Sequence, residues 1–135
     1  MNQIRVNLRT APAGSVGDLF KFQGFTFSLP LRGEVAPGEG LRVFCDHRGF
    51  VTVTIHFPHA ERIIWLTIQS PIFRLIHPGF QDIRTVEEDG TTPTCFTLNA
   101  PTTTVALAGT EGPMLLRELN LGEGYPWPLA PPAGV

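Results

Sequence analysis

The stretch LRVFCDHRGFVTVTIHF, residues 41–57, decides the fold class because apolar and polar residues alternate through most of it. In its second half, Val51, Val53 and Ile55 alternate with Thr and His, which places the three apolar side chains on one face of a β-strand. The first half alternates in the same way. Between the halves, residues 46–49 contain Asp46 and Gly49, and both residue types are typical of turns. The stretch therefore predicts a β-hairpin.

Short apolar runs of this kind recur at intervals of about ten residues, separated by Gly, Pro and Asn. We expect a mostly β protein, an antiparallel β-sandwich or small barrel of seven or eight strands, with one short helix allowed. Residues 94–98 and 104–108 read as two paired strands. A change of parity at Gly24 predicts a bulge or tight turn, and Pro37 followed by Gly38 fits a β-turn. The expected core residues are Phe20, Phe22, Phe25, Phe27, Val51, Val53, Ile55, Trp65 and Leu66.

Residues 58–69 allow two interpretations. Pro58 at a first helical turn, Glu61 soon after it, and the spacing of the apolar residues favour a short helix packed on the sheet. The Ile, Trp and Thr content of the same residues also suits a buried strand. We expect the helix and keep the strand as the alternative.

Composition limits the classes of function. The chain has 135 residues, which suits one domain with its own core. Charged residues make up only 16% of it, so its surface is easier to desolvate than most, which favours a protein that covers itself with partners. A net charge of −2 supplies no long-range attraction for phosphate, so we expect no direct nucleic-acid binding.

The N-terminus alternates polar and apolar residues without an apolar h-region, so we expect no secretory signal peptide. No stretch approaches the roughly 18 apolar residues of a membrane span. Cys45 and Cys95 are too few for a disulfide scaffold and lie in strand-like runs. We expect two buried thiols, with a disulfide as the alternative.

The C-terminal residues, from Gly122 onward, are rich in Pro and Gly and suit neither a helix nor a strand ladder. We therefore expect a β domain over residues 1–121 and an extended arm over residues 122–135. An aromatic flanked by prolines is a low-entropy extended ligand, able to lie in a groove of a neighbour or to fold back on its own domain. The expected partner-binding residues of the arm are Tyr125, Pro126, Trp127, Pro128 and Leu129.

Catalytic patterns are weak. His47, His56 and His59, with Glu61 nearby, are the best candidates for a metal site, but their spacing matches no known ligand motif, and solvent-facing imidazoles are the simpler interpretation. The serines and cysteines lack a nucleophile motif. Residues 87–89 form an acidic run, which we expect to be a loop with a solvated or partner-facing surface. We expect no cofactor and no enzymatic activity.

Residues 48–55, with a glycine followed by a strand of alternating Thr and Val, and residues 57–64, with a polar start to an expected helix, resemble phage tail-tube proteins. The resemblance covers about a fifth of the chain. It implies a β-sandwich that forms stacked hexameric rings. A Thr-rich, sparsely charged β chain with an extended arm also resembles capsid-decoration proteins in composition.

These observations lead to three hypotheses. The first is a non-enzymatic structural subunit of a virion, assembled in the host cytoplasm, that self-assembles or attaches to other structural proteins while its arm anchors to a neighbour. The second is a small-ligand or carbohydrate-binding sandwich with Trp65 or Trp127 as a stacking platform. The third is a metal-dependent enzyme that uses the three histidines.

Overall fold

The computed structural model describes residues 4–77, 86–89, 94–110 and 113–122. Within these ranges the chain forms ten β-strands and one 3-10 helix, Leu8–Thr10, and contains no α-helix. This confirms the prediction of a mostly β, antiparallel fold, with more strands than the seven or eight expected. The strands are β1 Ile4–Asn7, β2 Gly14–Val16, β3 Leu19–Phe22, β4 Phe25–Ser28, β5 Gly33–Ala36, β6 Gly40–Val43, β7 Phe50–His77, β8 Val86–Asp89, β9 Thr94–Thr110 and β10 Met114–Leu121.

All ten strands belong to one antiparallel sheet, in the order β2-β5-β6-β10-β7-β4-β3. β1 pairs with β10, whereas β8 and β9 pair with β7. The two long strands are irregular and run from one part of the sheet to another. Residues 50–56 of β7 pair with residues 104–110 of β9, and residues 63–66 pair with residues 94–97. Residues 72–77 of β7 then return to residues 106–110 of β9.

Both parts of the sheet turn their apolar sides toward one core. Val51, Val53 and Ile55 are completely buried, while Thr52 between them and His56 after them are exposed, as an alternation of period two requires. In the middle of β7 the buried side chains are Ile64, Leu66 and Ile68, which join the same cluster. Of the predicted core residues, Phe20, Phe22 and Trp65 are only partly buried, and the others are buried.

The tight turns expected at two glycine-containing sites are present. Gln23 and Gly24 join β3 to β4 as a two-residue loop with φ angles of 53° and 86°. Positive φ at both positions is the geometry that matches the twist of a hairpin. β5 and β6 also form a hairpin, in which the backbone N–H of Glu39 donates to the carbonyl of Ala36 at 3.0 Å. On its other side, β5 pairs with β2.

The hairpin predicted over residues 41–57 is wrong in its pairing, although the turn at residues 46–49 forms. β10 lies between β6 and β7 in the sheet: Leu115 is opposite Arg42 of β6 on one side and Gln69 of β7 on the other. The turn is therefore a corner that leads the chain from one part of the sheet to another. Local alternation predicts strands but contains no information about which strands pair.

The helix expected over residues 58–69 is also wrong, because these residues belong to β7. Residues 61–66 pair with β9, and residues 64–69 pair with β10, so their backbone groups find partners on both sides. Strand neighbours thus override the local helical spacing. Residues 94–98 and 104–108 do not pair with each other, since both belong to β9 and pair with β7. The acidic run at residues 87–89 lies in strand β8 rather than in a loop.

Candidate functional site

The three histidines proposed as metal ligands are not brought together. His47 lies in the corner before β7, whereas His56 lies near the far end of the first stretch of β7, about 20 Å further along at 3.3 Å per residue. The His56 ring nitrogen Nδ1 is 3.1 Å from the Thr104 hydroxyl, and the His59 Nε2 is 3.7 Å from a carboxylate oxygen of Glu61. Across the described ranges, no group of three His, Cys, Asp or Glu side chains is placed to hold a metal ion.

The arm residues Tyr125, Pro126, Trp127, Pro128 and Leu129 lie outside the described residues. The other tryptophan, Trp65, is partly buried on β7, opposite Asn120 of β10 and Cys95 of β9 in the strand register. It is therefore not an open platform for stacking a sugar ring. Cys45 and Cys95 are partly buried and are not joined by a disulfide, so the disulfide alternative is not realised in the structure.

The most distinctive exposed surface is the outward side of the first part of the sheet, which we call the hydroxyl face. It is formed by β3, β4, the first and last stretches of β7, and the second half of β9. Its central side chains are short because Thr and Ala alternate with the buried apolar residues of the same strands. Its members are Leu19, Lys21, Thr26, Ser28, Phe50, Thr52, Thr54, His56, Arg74, Ile76, Thr104, Ala106 and Ala108.

The register places these side chains in rows across the sheet. Lys21, Thr26, His56 and Thr104 are successive partners in one row. Leu19, Ser28, Thr54 and Ala106 form the next row by the same pairings. Neighbouring strands lie about 4.8 Å apart, so each row runs about 14 Å across four strands. Thr, Ser and Ala occupy five of the eight positions in these two rows, so the middle of the face presents mostly short side chains.

The hydroxyl face contains no carboxylate among the members named above. Its charges are the cations Lys21 and Arg74, near opposite edges of the face. Three of its apolar side chains are unusually exposed: Leu19 at 52%, Phe50 at 47% and Ile76 at 36%. The Arg48 guanidinium lies 5.8 Å from the centre of the Phe50 ring, a cation–π arrangement. A surface with few charges and three exposed apolar groups costs little to desolvate.

The outward side of β1, β10 and the middle stretch of β7 has the opposite character, and we call it the Asn120 face. Its polar side chains are buried: Asn120 is 1% exposed, Thr67 is 3% exposed and Glu118 is 5% exposed. The Glu118 carboxylate accepts a hydrogen bond from Arg5 Nε of β1 and lies 4.0 Å from Arg9 Nη1. The side-chain nitrogen and oxygen of Asn120 have no hydrogen-bond partner among the described residues.

No family model matches the chain, and no curated protein matches it significantly. Among the residues that the structure describes, no helix has the length and apolar character needed to cross a bilayer.

Neither face was identified from the sequence, although a signal for the hydroxyl face was present. The run Thr52-Val53-Thr54 puts two hydroxyls on the side opposite the core, and the same alternation recurs at residues 104–108. Joining these strands into one surface requires the pairing of β7 with β9. The burial of Asn120 and Glu118 had no local signal, because β10 reads as an ordinary alternating strand in that region.

Proposed function

We propose that this protein is a non-enzymatic structural subunit that assembles with copies of itself through the hydroxyl face. The observation that carries the proposal is the combination, on the outward side of one part of the sheet, of three exposed apolar residues and five hydroxyls, with no carboxylate among the members of the hydroxyl face. Interfaces exclude charge from their centres, and this face does so before any partner binds.

Two features of the face favour a protein partner over a small ligand. Small-ligand sites are concave and enclose most of the ligand, whereas the members of this face stand in rows on open sheet. The exposed apolar side chains Leu19 and Ile76 come from strands at opposite edges of this part of the sheet, which suits a broad contact. Lys21 and Arg74 stand beside them, where a polar rim is expected.

A place in a virion is part of the same proposal. It draws support from the resemblance of residues 48–55 to phage tail-tube proteins and from the low share of charged residues, 16%. Residues 57–64 add no support, because they form part of β7 instead of the helix on which their resemblance depended. A subunit of this kind would repeat one interface many times, so a modest contact per copy is sufficient for a stable particle. The self-assembly interface can be tested whether or not the protein belongs to a virion.

The experiment is to add one negative charge to the hydroxyl face and to measure particle mass by light scattering over a range of concentrations. Thr52→Glu places a carboxylate among the exposed hydroxyls of β7. Gln69→Glu is the matched control, because it adds the same charge at an exposed position of the same strand, where Gln69 already bonds Arg117 at 2.9 Å.

We expect the unmodified chain and Gln69→Glu to form particles well above the monomer mass of 14.8 kDa, and Thr52→Glu to shift toward the monomer. An unmodified chain that stays monomeric at every concentration contradicts self-assembly. Assembly that survives Thr52→Glu unchanged contradicts the hydroxyl face as its interface.

A further inference from the structure

The edge strand β3 keeps its outer backbone groups unpaired within the described part of the chain. It is the last strand in the order of the sheet, and among the described strands it pairs only with β4. The backbone N–H of Leu29 donates to the carbonyl of Asp18 at 2.9 Å, so these opposite residues form a hydrogen-bonded pair. Hydrogen-bonded and non-hydrogen-bonded pairs alternate in an antiparallel ladder. The backbone groups of Phe20 therefore face β4, whereas those of Leu19 and Lys21 on either side of it face outward.

The side chains of β3 suit a contact with another strand. Leu19 and Lys21 are exposed on the side of the hydroxyl face, and Leu19 is 52% exposed. Phe20 packs on the core side but is only partly buried, although its ring centre lies 6.2 Å from that of Phe22 and 5.8 Å from that of Phe27. The strand contains no proline, so each outward residue keeps its N–H group. An edge with free N–H and carbonyl groups is a template for pairing with another chain.

We propose that β3 pairs with β3 of a second copy of this chain, antiparallel and about a two-fold axis that passes between the two Phe20 residues. In this arrangement Leu19 of each copy lies opposite Lys21 of the other, and the two Phe20 residues lie opposite each other. The outward N–H and carbonyl groups of Leu19 and Lys21 then all find partners, because each Leu19–Lys21 pair exchanges both of its hydrogen bonds. Such an edge is complementary to itself, as a two-fold dimer requires.

The residues of β3 favour this register over the two nearest ones. A shift in one direction puts Lys21 opposite Lys21 of the second copy, where like charges repel, and puts Leu19 opposite Gln23, which lies in the turn between β3 and β4. A shift in the other direction puts Lys21 opposite Gly17, which precedes the strand. Each shift thus moves one outward residue off the strand and loses its hydrogen bonds. In the proposed register the methylene groups of Lys21 lie beside Leu19 and can cover its apolar side chain.

Phe20 gains cover from the same pairing. Across the axis it forms a non-hydrogen-bonded pair, in which the Cα atoms are about 4.5 Å apart, so the two rings meet on the core side of the joined sheet. On the other side, the row of the hydroxyl face that begins at Lys21 continues into the row of the second copy that begins at Leu19. The pairing uses the backbone edge of β3 instead of the face itself. It is therefore a second contact, which does not rest on the self-assembly proposed above.

A disulfide between two copies tests the register. In a chain that carries Cys45→Ser and Cys95→Ser, we expect Phe20→Cys to form a disulfide-linked dimer under mild oxidation, because a Cα separation of about 4.5 Å is within the range of a disulfide. Phe22→Cys is the matched control, since it replaces a partly buried ring on the same side of the same strand, and the two copies of this residue would be about 14 Å apart. Phe20→Cys should therefore give at least about tenfold more dimer than Phe22→Cys.

Two exposed positions cover the case in which Phe20→Cys does not fold. Leu19 and Lys21 lie opposite each other in the proposed register, with Cα atoms about 5.5 Å apart, whereas two copies of either residue are about 8 Å or more apart. A mixture of Leu19→Cys chains and Lys21→Cys chains should therefore form mixed dimers, and each variant alone should stay monomeric. Efficient dimers of Lys21→Cys alone would place two lysines opposite each other and overturn the proposed register.

Blocking the edge tests whether its backbone makes the contact. Lys21→Pro removes an outward N–H without removing a hydrogen bond to β4, and it should reduce the Phe20→Cys dimer by about tenfold. Lys21→Ala is the matched control, because it removes the same side chain but keeps the N–H. Thr52→Glu in every chain makes the result independent of the hydroxyl face, and circular dichroism checks that each variant is folded. Equal yields in the proline and alanine variants overturn the proposal, and so does a folded Phe20→Cys that stays monomeric, the result expected if another segment of the same chain covers β3.

Discussion

Asp46 and Phe50 close the corner between β6 and β7 by hydrogen bonds in both directions. The backbone N–H of Asp46 donates to the carbonyl of Phe50 at 2.7 Å, and the backbone N–H of Phe50 donates to the Asp46 carboxylate at 3.1 Å. The same carboxylate oxygen accepts from the N–H of Arg48 at 2.8 Å. The corner at which the chain leaves β6 for β7 therefore depends on the partly exposed side chain of Asp46.

The Asp46 corner predicts a pH-dependent contribution to stability. The hydrogen bonds from the Phe50 and Arg48 backbones lower the pKa of Asp46 below its ordinary value of 3.8, because they favour the ionised form. A depressed pKa stabilises the folded state above pH 3.8, and this contribution is lost as the pH falls through the lower folded value. Asp46→Asn should therefore melt at a lower temperature than the unmodified chain at pH 7.

The difference between the two proteins should shrink as the pH falls from 3.8 through the lower folded value, because below that value Asp46 is protonated in both the folded and the unfolded state and is neutral like Asn. Thermal melting at pH 7, 5, 4 and 3 measures this difference. A gap in melting temperature that is the same at pH 7 and pH 3 would show that the charge of Asp46 contributes nothing at this corner.

Removing the charge of Glu118 should destabilise the fold more than removing the charge of Glu39, which is paired with Arg42. Its carboxylate is buried and bound by Arg5, with Arg9 nearby, so the pair joins β1 and the 3-10 helix to β10. Glu118→Gln should cost about 1–3 kcal/mol, the range for a charge-assisted hydrogen bond in a shielded position. Urea unfolding measures it.

Glu39→Gln is the control for Glu118→Gln. Glu39 lies 3.4 Å from Arg42, and its side chain is 51% exposed, so its ion pair is screened by solvent and should contribute less than about 0.5 kcal/mol. Equal effects of the two substitutions would contradict the special role assigned to the buried carboxylate.

The fold class could be predicted from the sequence, whereas the arrangement of the strands could not. Val51, Val53 and Ile55 show their strand by period two, and Gly24 shows its turn by its conformational freedom. The insertion of β10 between β6 and β7 depends on a contact between residues about 70 positions apart, and no local pattern contains it. The helix predicted over residues 58–69 is wrong for the same reason, since the strand neighbours of these residues come from β9 and β10.

For the candidate surfaces, too, single residues can be recognised from the sequence, whereas their arrangement in space cannot. Each Thr of the hydroxyl face is visible in the sequence as a polar residue between apolar ones, but the face exists only because β4, β7 and β9 lie side by side. The histidines give the reverse case, because His47 and His56 are close in sequence and the extended chain between them separates them. Closeness in sequence therefore does not bring the imidazoles of His47 and His56 together.

Alanine at Gly40 should destabilise the fold more than alanine at Gly38 in the same hairpin, for a steric reason. Both have positive φ, 129° and 72°, so alanine is strained at either position. A Cβ on Gly40 would also lie 2.3 Å from the carbonyl oxygen of Leu116, which belongs to the backbone of β10 and cannot move aside cheaply, whereas a Cβ on Gly38 meets nothing within 4 Å.

Gly38→Ala should therefore cost about 1 kcal/mol from backbone strain alone, and Gly40→Ala should cost about 3 kcal/mol or more. Denaturant unfolding of the two variants gives the comparison. If both cost the same, the close approach of β6 to Leu116 is not present in solution.

Inverse substitutions at Thr52 and Val53 test which side of β7 faces the core. Val53 is completely buried and Thr52 is exposed, so Val53→Thr buries a hydroxyl among apolar side chains while Thr52→Val changes only the surface. We expect Val53→Thr to cost about 1–3 kcal/mol and Thr52→Val to stay within about 0.5 kcal/mol of the unmodified chain. Because the two residues are adjacent and the substitutions are inverse, the difference in unfolding free energy depends on their orientation rather than on strand propensity. The reverse order of effects would mean that β7 is displaced by one residue, which would turn the two interface hydroxyls of this strand, those of Thr52 and Thr54, toward the core.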